Sequence, residues 1–166
     1  MHVPVKDRDG WLRMPDDELM SQCDVRASRA GGPGGQRRNK VFTGVVLVHR
    51  PTGMQARAEE SRSRETNRRR ALGRLRRRIA AQVRCDTPVG PDGRIRRYMD
   101  PQGRLRINPG NPEYPLVAAA VLDALRACGG SYARAADGLG TSTSQVVKFL
   151  QKEGWLARAA REVRGG

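Results

Sequence analysis

The sequence is poor in the residues that build aromatic cores and membrane spans. Aromatic residues make up only 4% of its 166 residues, so any hydrophobic core must be mainly aliphatic. No stretch approaches the roughly 20 consecutive apolar residues of a transmembrane helix. The first residues, MHVPVKDRDGW, lack the apolar segment of a secretory signal peptide. We therefore expect neither a membrane protein nor a secreted one.

Cysteine is also scarce. Cys23, Cys85 and Cys128 are widely separated, and they form neither a CxxC pair nor a Cys/His cluster with the spacing of metal ligands. We therefore expect reduced structural thiols in a cytosolic protein, with no metal site.

Positive charge dominates what the sequence does contain. It has 32 Lys and Arg residues against 17 Asp and Glu, which gives a net charge of +15 and a pI near 11.3. Such an excess on a small chain indicates a polyanionic partner, most often a nucleic acid. A membrane surface is disfavoured because the basic stretches lack the large apolar face of an interfacial helix. Most of the cations are arginines, which bind phosphates bidentately and favour structured RNA.

The first half of the chain predicts a small α+β domain. Helix-start signals, β-branched runs and a Pro-Thr-Gly turn predict a helix at Pro15–Cys23, strands at Cys23–Ser28, Val41–His49 and Met54–Ala58, and a long helix at Glu59–Val83. Apolar residues recur in the long helix at spacings of three and four, so one stripe is apolar and the other faces carry arginine. His49, at a strand end, is expected to be structural rather than a catalytic base.

A proline-rich break follows. Residues 86–115 hold six of the ten prolines and predict a linker, with at most a small hairpin that turns at Asp100–Gly103. Three helices are predicted beyond it, at Leu116–Ala127, Ser131–Asp137 and Ser142–Lys152. The last two resemble a helix-turn-helix, in which Gly140 allows the turn and Ser142 caps the second helix. We therefore expect a domain at 1–85, a linker at 86–114 and an all-α unit at 115–166.

The role of this all-α unit has two interpretations. Thr143, Gln145 and Lys148 have the chemistry to contact bases or backbone. A three-helix bundle used only for packing explains the same pattern, with a core of Val146, Val147, Phe149 and Leu150. Both interpretations stay open.

The glycine-rich segment RAGGPGGQRRNK, at residues 29–40, is the candidate catalytic loop of the sequence. A phosphate-binding P-loop needs Lys and Ser or Thr after the second glycine and a helix behind it, whereas Gln36 is followed by Arg-Arg-Asn-Lys and a strand. A loop that enters a crowded RNA site fits better. Its glycines let backbone amides approach a substrate and stabilise an oxyanion, its glutamine can position water, and its arginines neutralise phosphates. This combination suits ester hydrolysis at an RNA 3′ end.

The order of several motifs resembles a known family. RAGGPGGQRRNK (29–40), a strand, HRPTG (49–53) and SRSRETNRRRAL (61–72) look like the catalytic domain of class I peptide chain release factors. They most resemble the small codon-independent members that rescue stalled ribosomes. The resemblance covers about residues 15–83. It implies a Gly-Gly-Gln (GGQ) domain with a short antiparallel sheet and a long basic helix, followed here by the helix-turn-helix-like unit.

The resemblance implies a hydrolase that cleaves the ester bond of peptidyl-tRNA in the peptidyl-transferase centre of the ribosome. Gly34, Gly35 and Gln36 are the implied catalytic residues, with the Gln36 backbone N–H on the transition state and its side chain on the attacking water. The substrate's terminal ribose hydroxyl is expected to assist, and no cofactor is implied. The implied RNA-binding residues are Arg29, Arg37, Arg38, Asn39, Lys40, Arg62, Arg64, Arg68, Arg69, Arg70, Arg74, Arg77 and Arg78. Residues 115–166 would add a contact with RNA or protein.

Two features depart from the family pattern. Ala30-Gly31-Gly32 precedes Pro33 where the family usually has Ser or Ala followed by Ser and Gly, which removes a hydroxyl from the base of the loop. The chain also has no room for stop-codon-reading domains, so we expect ribosome rescue rather than codon-specific termination.

The resemblance implies a bacterial or organellar setting, and the bacterial cytoplasm is expected ahead of an organellar matrix, since the sequence shows no amphipathic transit segment. The alternative function is a catalytically silent nucleic-acid-binding protein that uses the basic helix and the C-terminal helix-turn-helix.

Overall fold

The computed structural model of the chain describes residues 4–28, 43–86, 90 and 93–165. The elements are α1 (Val5–Arg13), α2 (Asp16–Ser21), β1 (Cys23–Ser28), β2 (Gly44–His49), β3 (Gln55–Ala58), α3 (Arg64–Gln82), α4 (Gly93–Arg96), α5 (Tyr114–Ala127), α6 (Tyr132–Leu139), α7 (Thr143–Leu150) and α8 (Gly154–Gly165). A small antiparallel sheet combined with helices confirms the predicted α+β class. Among these helices, none combines the length and the apolar character that a membrane crossing needs.

The contacts within the chain define two compact units. One is Met14–Ile79, and the other combines Met1–Arg13 with Ala80–Gly166. We call the first the sheet unit and the second the helical unit. These units divide the chain differently from the predicted boundaries at 1–85, 86–114 and 115–166. As a statement about independently folding parts, the predicted domain division stays a prediction.

The sheet unit contains the predicted hairpin. Its strands follow the order β1-β2-β3, and both neighbouring pairs are antiparallel. The turn between β2 and β3 closes through backbone hydrogen bonds from Thr52 and Gly53 to the His49 carbonyl, at 3.2 and 2.7 Å. Gly53 has a φ of 67°, the left-handed conformation that glycine adopts without steric cost. The Pro-Thr-Gly signal therefore predicted the turn correctly.

The core of the sheet unit is aliphatic, as the composition requires. Val45 and Leu47 on β2 are buried, and so are Leu72, Leu75 and Ile79 on α3. The predicted apolar stripe is thus present. The helix begins at Arg64 rather than at Glu59, because the Ser63 hydroxyl accepts a hydrogen bond from the Thr66 backbone N–H and so marks the start of the first turn.

The helical unit is built around α5, in which 11 of 14 residues are buried. Buried residues of α6, α7 and α8 complete its core. The turn between α6 and α7 has the predicted form: Gly140 is left-handed, with a φ of 69°, and the Ser142 hydroxyl accepts a hydrogen bond from the Gln145 backbone N–H. The last helix, α8, was not predicted, although Leu156, Ala159 and Ala160 share one buried face.

The described part of the predicted linker is folded into this unit. Ile95 of α4 and Ile107 both belong to the core around α5. The predicted small hairpin is present as a single bridge between Met99 and Leu105, with a hydrogen bond from Gly103 N to Asp100 O. The Thr141 hydroxyl donates to the Gly103 carbonyl at 2.5 Å, which holds the hairpin turn against the helix-turn-helix.

A buried cluster of charges joins α1, α4 and α5 to the backbone just beyond α3. Asp123 on α5 is 2% exposed and accepts hydrogen bonds from Arg8 at 2.5 Å, Arg84 at 3.0 Å and the Cys85 backbone N–H at 3.2 Å. Asp9 extends the cluster, because its two oxygens bind Arg8 and Arg94. Each carboxylate therefore lies between two guanidinium groups.

The carboxylates decide how well each arginine keeps its charge. Burial works against the charge of Arg8, but Asp123 and Asp9 outweigh it and raise the pKa of Arg8 above its ordinary value. Burial lowers the pKa of Arg84 to about 10, because Asp123 offsets only part of the desolvation and the Arg8 charge adds to it. Asp123 is thus the anion shared by two buried cations.

We predict that Asp123→Asn destabilises the protein by about 3–5 kcal/mol, because it leaves two buried guanidinium groups without their shared anion. Urea unfolding followed by circular dichroism measures the loss. The matched control is Asp137→Asn on α6, which makes the same change at an exposed position and should cost no more than about 0.5 kcal/mol. Equal, small effects of the two variants would contradict the role given to Asp123.

Candidate functional site

The sheet fixes both ends of the glycine-rich segment. Ser28, the last residue of β1, pairs with Gly44, the first residue of β2. The chain therefore leaves and re-enters the sheet unit on neighbouring strands. The predicted loop residues lie outside the described part of the chain: Arg29, Gly34, Gly35, Gln36, Arg37, Arg38, Asn39 and Lys40. Their roles stay predictions.

Asn67 ties the start of α3 to the chain that follows this segment. It is fully buried, and its Nδ2 donates to the Thr43 and Ser61 carbonyls, both at 2.8 Å. Its Oδ1 accepts from the Ser61 backbone N–H at 2.9 Å. One side chain thus holds the residue before β2, the turn before α3 and α3 itself. The sequence showed Asn67 only as part of a motif, and the structure supplies its role.

Two of the predicted RNA-binding arginines contact the outer edge of the sheet. Arg74 Nη1 donates to the Arg57 carbonyl at 2.6 Å, and Arg78 Nη1 donates to the Gln55 carbonyl at 2.9 Å. Because β3 is an edge strand, these bonds satisfy carbonyl groups that have no neighbouring strand. Arg74 also pairs with Glu60 at 2.6 Å, and this hydrogen bond lowers the pKa of Glu60.

Other arginines of α3 pair with nearby acids. Arg69 contacts Glu65 at 3.3 Å, and Arg70 lies 4.0 Å from Glu60. All four side chains are largely exposed, so each pair contributes at most about 1 kcal/mol and leaves the arginine accessible. Arg76, which was not predicted to bind RNA, binds Asp16 at 2.6 Å and is only 14% exposed.

Four of the predicted arginines are exposed and form no hydrogen bond or ion pair with any described residue: Arg62, Arg64, Arg68 and Arg77. The first three lie within one or two turns of Asn67. They are therefore grouped around the start of α3, which Asn67 ties to Thr43. Because no described residue compensates their charge, this group is the part of the basic region most available to phosphates.

His49 is structural, as predicted. It is fully buried, and its Nδ1 lies 2.8 Å from the Thr52 hydroxyl. Burial, together with the nearby charge of Arg50, lowers the pKa of His49 to about 4. Its neutral ring is thus held inside the sheet unit, roughly 17 Å along β2 from Gly44 at about 3.4 Å per residue.

The face of α7 offers a second polar surface. Thr143 and Lys148 are exposed and Gln145 is half-buried, whereas Val146, Phe149 and Leu150 are buried in the helical unit. Val147, which was also predicted for the core, is only half-buried. Both interpretations stay open, because one face of the helix packs and the other is accessible for contacts.

The described residues contain no group of His, Cys, Asp and Glu side chains that could hold a metal ion. All three cysteines are buried free thiols. Burial raises the pKa of Cys23 and of Cys85, which keeps both thiols protonated and unreactive.

The chain matches a known protein family over just over half of its length. Residues 17–102 match the RF-1 domain family. This span includes the glycine-rich segment, the three strands and α3.

Several peptide chain release factors are similar in sequence. Peptide chain release factor 1 of Streptococcus agalactiae is 39% identical over 130 residues, which cover 62% of this chain and 36% of that protein. Peptide chain release factor 1 of Caldicellulosiruptor bescii is 38% identical over 95 residues, 49% of this chain and 27% of that protein. A chloroplastic peptide chain release factor of Arabidopsis thaliana is 45% identical over 64 residues, 39% of this chain and 13% of that protein. The similarity thus spans well under half of each relative.

We predict that Asn67→Ala destabilises the protein by about 1–3 kcal/mol, because it removes a buried amide and leaves partly buried backbone groups of Thr43 and Ser61 without that partner. Asn67→Asp should be no better, since it keeps the acceptor but places carboxylate oxygens against two carbonyl oxygens. Thr66→Ala is the matched control on the neighbouring, less buried residue. Denaturant unfolding of all three variants measures the difference, and a loss in Thr66→Ala as large as in Asn67→Ala would contradict the assignment.

We predict a pH dependence of stability that comes from His49. Its folded pKa, about 4, lies below the ordinary 6.5. The stabilisation by the neutral ring is therefore complete above pH 6.5 and is lost as the pH falls towards 4. Between about pH 7.5 and 5 the wild type should lose about 2 kcal/mol more than His49→Gln, which cannot titrate. Parallel loss in both proteins would show that other groups cause the dependence.

Proposed function

The chain belongs to the RF-1 domain family, and from that membership we propose that it hydrolyses the ester bond of peptidyl-tRNA on the ribosome. The observation that carries the proposal is Gly34-Gly35-Gln36, which lies inside the matched span and is followed by the strand, turn and basic helix of the described sheet unit. The similar release factors of bacteria and a chloroplast support the proposal. The whole reaction, its substrate and its partners are our proposals for this chain.

The proposed chemistry is water attack on the ester carbonyl that joins the peptide to the terminal ribose. The Gln36 backbone N–H donates to the oxyanion of the tetrahedral intermediate, and the Gln36 side chain orients the water. The carbonyl–ribose bond then breaks, the proton goes to the ribose oxygen, and the neighbouring ribose hydroxyl assists that transfer. Gly34 and Gly35 let the backbone approach the ester closely.

The arginines are proposed to hold the loop against ribosomal RNA. Arg29, Arg37, Arg38, Asn39 and Lys40 flank the catalytic residues in the sequence. Arg62, Arg64, Arg68 and Arg77 have no partner among the described residues, so their charge is available for phosphates. Arg69 and Arg70, which are largely exposed, can join them, whereas Arg74 and Arg78 also serve the edge of β3.

We further propose that release is independent of the codon and serves stalled ribosomes. This proposal rests on the resemblance of the loop and helix motifs to the small rescue members of the release factor family. The reaction would take place wherever such ribosomes work, in a bacterial cytoplasm or an organelle.

The test is release of labelled peptide from stalled ribosomes by the wild type and by Gln36→Ala. We predict that the variant loses release by about 10²-fold or more, because water is no longer positioned at the ester. Its RNA affinity should stay the same, because no cation is removed. Gln36→Asn, which keeps the amide but shortens the side chain, is the control for reach and should also be impaired.

The same assay separates the finer proposals. Release should be equal with a sense codon, a stop codon or no codon in the A site. Isolated large subunits that carry peptidyl-tRNA are tested in parallel. If wild type and Gln36→Ala both bind ribosomes without releasing peptide, the alternative of a catalytically silent RNA-binding protein replaces this proposal.

A further inference from the structure

A groove in the helical unit is lined by cations that belong neither to the glycine-rich segment nor to α3. It lies between α7 and the extended chain at residues 105–108, and its volume is about 350 Å³. Ile107 and Phe149 form part of its floor and are only 5% and 4% exposed. Half-buried Leu105 also lines the groove, so the floor is apolar, with little of Ile107 and Phe149 open to a ligand.

The rim of the groove carries three cations: Arg106, Lys148 and Lys152. Lys148 is exposed and forms no ion pair or hydrogen bond with the described chain. Lys152 donates one hydrogen bond, at 2.7 Å, to the Ile107 carbonyl, which leaves its other two protons for a ligand. Among the residues that the structure describes, none of those that line the groove is acidic.

Arg106 is held in place from behind. Its Nε donates to Asp100 at 3.2 Å, while its side chain remains 64% exposed. Hydrogen bonding by the Arg104 backbone N–H, helped by the Arg106 and Arg104 side chains, lowers the pKa of Asp100 to about 2. Asp100 therefore stays charged and orients Arg106 through the bond to Nε. The terminal nitrogens of Arg106 remain available for a ligand.

Two amides complete the lining. Asn108 accepts a hydrogen bond from the Gly110 backbone N–H at 2.9 Å through its oxygen, so its NH₂ group remains to donate. Gln145 also lines the groove, and no bond to its side chain is formed within the described residues. The cations and amides that surround the apolar floor make a surface rich in hydrogen-bond donors. Such a surface suits phosphates together with the edges of bases.

We propose that this groove binds a single-stranded RNA segment. The RNA phosphates contact Arg106 and Lys148, and the side-chain amides of Asn108 and Gln145 contact base or ribose edges. A protein partner is disfavoured, because protein interfaces are anchored by side chains inserted into apolar pockets, whereas the rim here is cationic and Ile107 and Phe149 expose little apolar surface. The volume lies near the lower end of the roughly 300–1,000 Å³ of ligand sites, which suits one strand rather than a duplex. The contact goes beyond ester hydrolysis and does not depend on it, since no groove residue lies in the sheet unit.

The test compares two double variants of the full chain that remove the same charge. Arg106→Gln with Lys148→Gln alters the groove, and Arg158→Gln with Arg161→Gln alters exposed positions on α8 that do not line it. Affinity for an oligouridine of about 12 nucleotides is measured by fluorescence anisotropy at several salt concentrations. The groove variant should lower the slope of log affinity against log salt by about 1.4, the share of two phosphate contacts on a single strand. The α8 variant should leave the slope nearly unchanged.

A second measurement locates the contact. Photocrosslinking with 4-thiouridine should label peptides from residues 104–108 and 145–152 in the wild type and in Gln36→Ala, and the groove variant should lose this labelling. Thermal melting checks that the variants stay folded, and Lys148→Gln alone serves if the double variant does not. Equal slopes for the two double variants, crosslinks confined to residues 29–78, or equally effective competition by polyglutamate of the same charge would each overturn the proposal.

Discussion

The carboxylate of Asp123 is the constraint on which the helical unit depends. It lies on the most buried helix, and it accepts hydrogen bonds from Arg8 of α1, from Arg84 and from the Cys85 backbone, which follow α3. Leaving a buried cation unpaired costs several kcal/mol of folding free energy. Each arginine must therefore lie within hydrogen-bond distance of the carboxylate, which fixes the position of its segment. Hydrophobic contact alone would let a thin aliphatic core pack in several ways. Charge pairing in the interior is directional, and it therefore fixes which segments meet on α5.

This cluster also explains why α1 could not be predicted from the sequence. The segment VKDRDGWLR contains a glycine and few apolar residues, and charged residues are normally assigned to solvent. Its Arg8 and Asp9 are nevertheless buried, because partners from distant parts of the chain neutralise them. A local pattern cannot reveal those partners. The omission of α8 differs, because its buried residues Leu156, Ala159 and Ala160 recur at helical spacing, and that local pattern was sufficient to predict it.

Some features of the candidate site are encoded in nearby residues of the sequence, and others arise only from contacts between distant residues. The order of glycines, glutamine, strand, turn and basic helix is local, and it was sufficient to predict the sheet, its hairpin and the family. The distinction among the arginines of α3 is not local. Arg74 and Arg78 contact edge carbonyls of β3, whereas Arg62, Arg64 and Arg68 do not, and only the position of the sheet separates the two groups. Asn67 belongs to the non-local kind as well, since its partner Thr43 lies 24 positions earlier.

The placement of the unpaired arginines gives an independent reason to expect an anion beside the loop. Arg62, Arg64 and Arg68 lie at the N-terminus of α3, where the helix dipole repels positive charge by about 0.3–1 kcal/mol for each side chain. Arg64 and Arg68 are also four residues apart, which adds repulsion between like charges. Towards the C-terminus Arg74 and Arg78 relieve their mutual repulsion on β3, but the first turns have no such compensation within the described residues. A phosphate at this end would meet both the arginines and the positive end of the helix dipole. The arrangement is unfavourable for the protein alone, and the proposed contact with RNA would offset that cost at the end of α3 that Asn67 ties to Thr43.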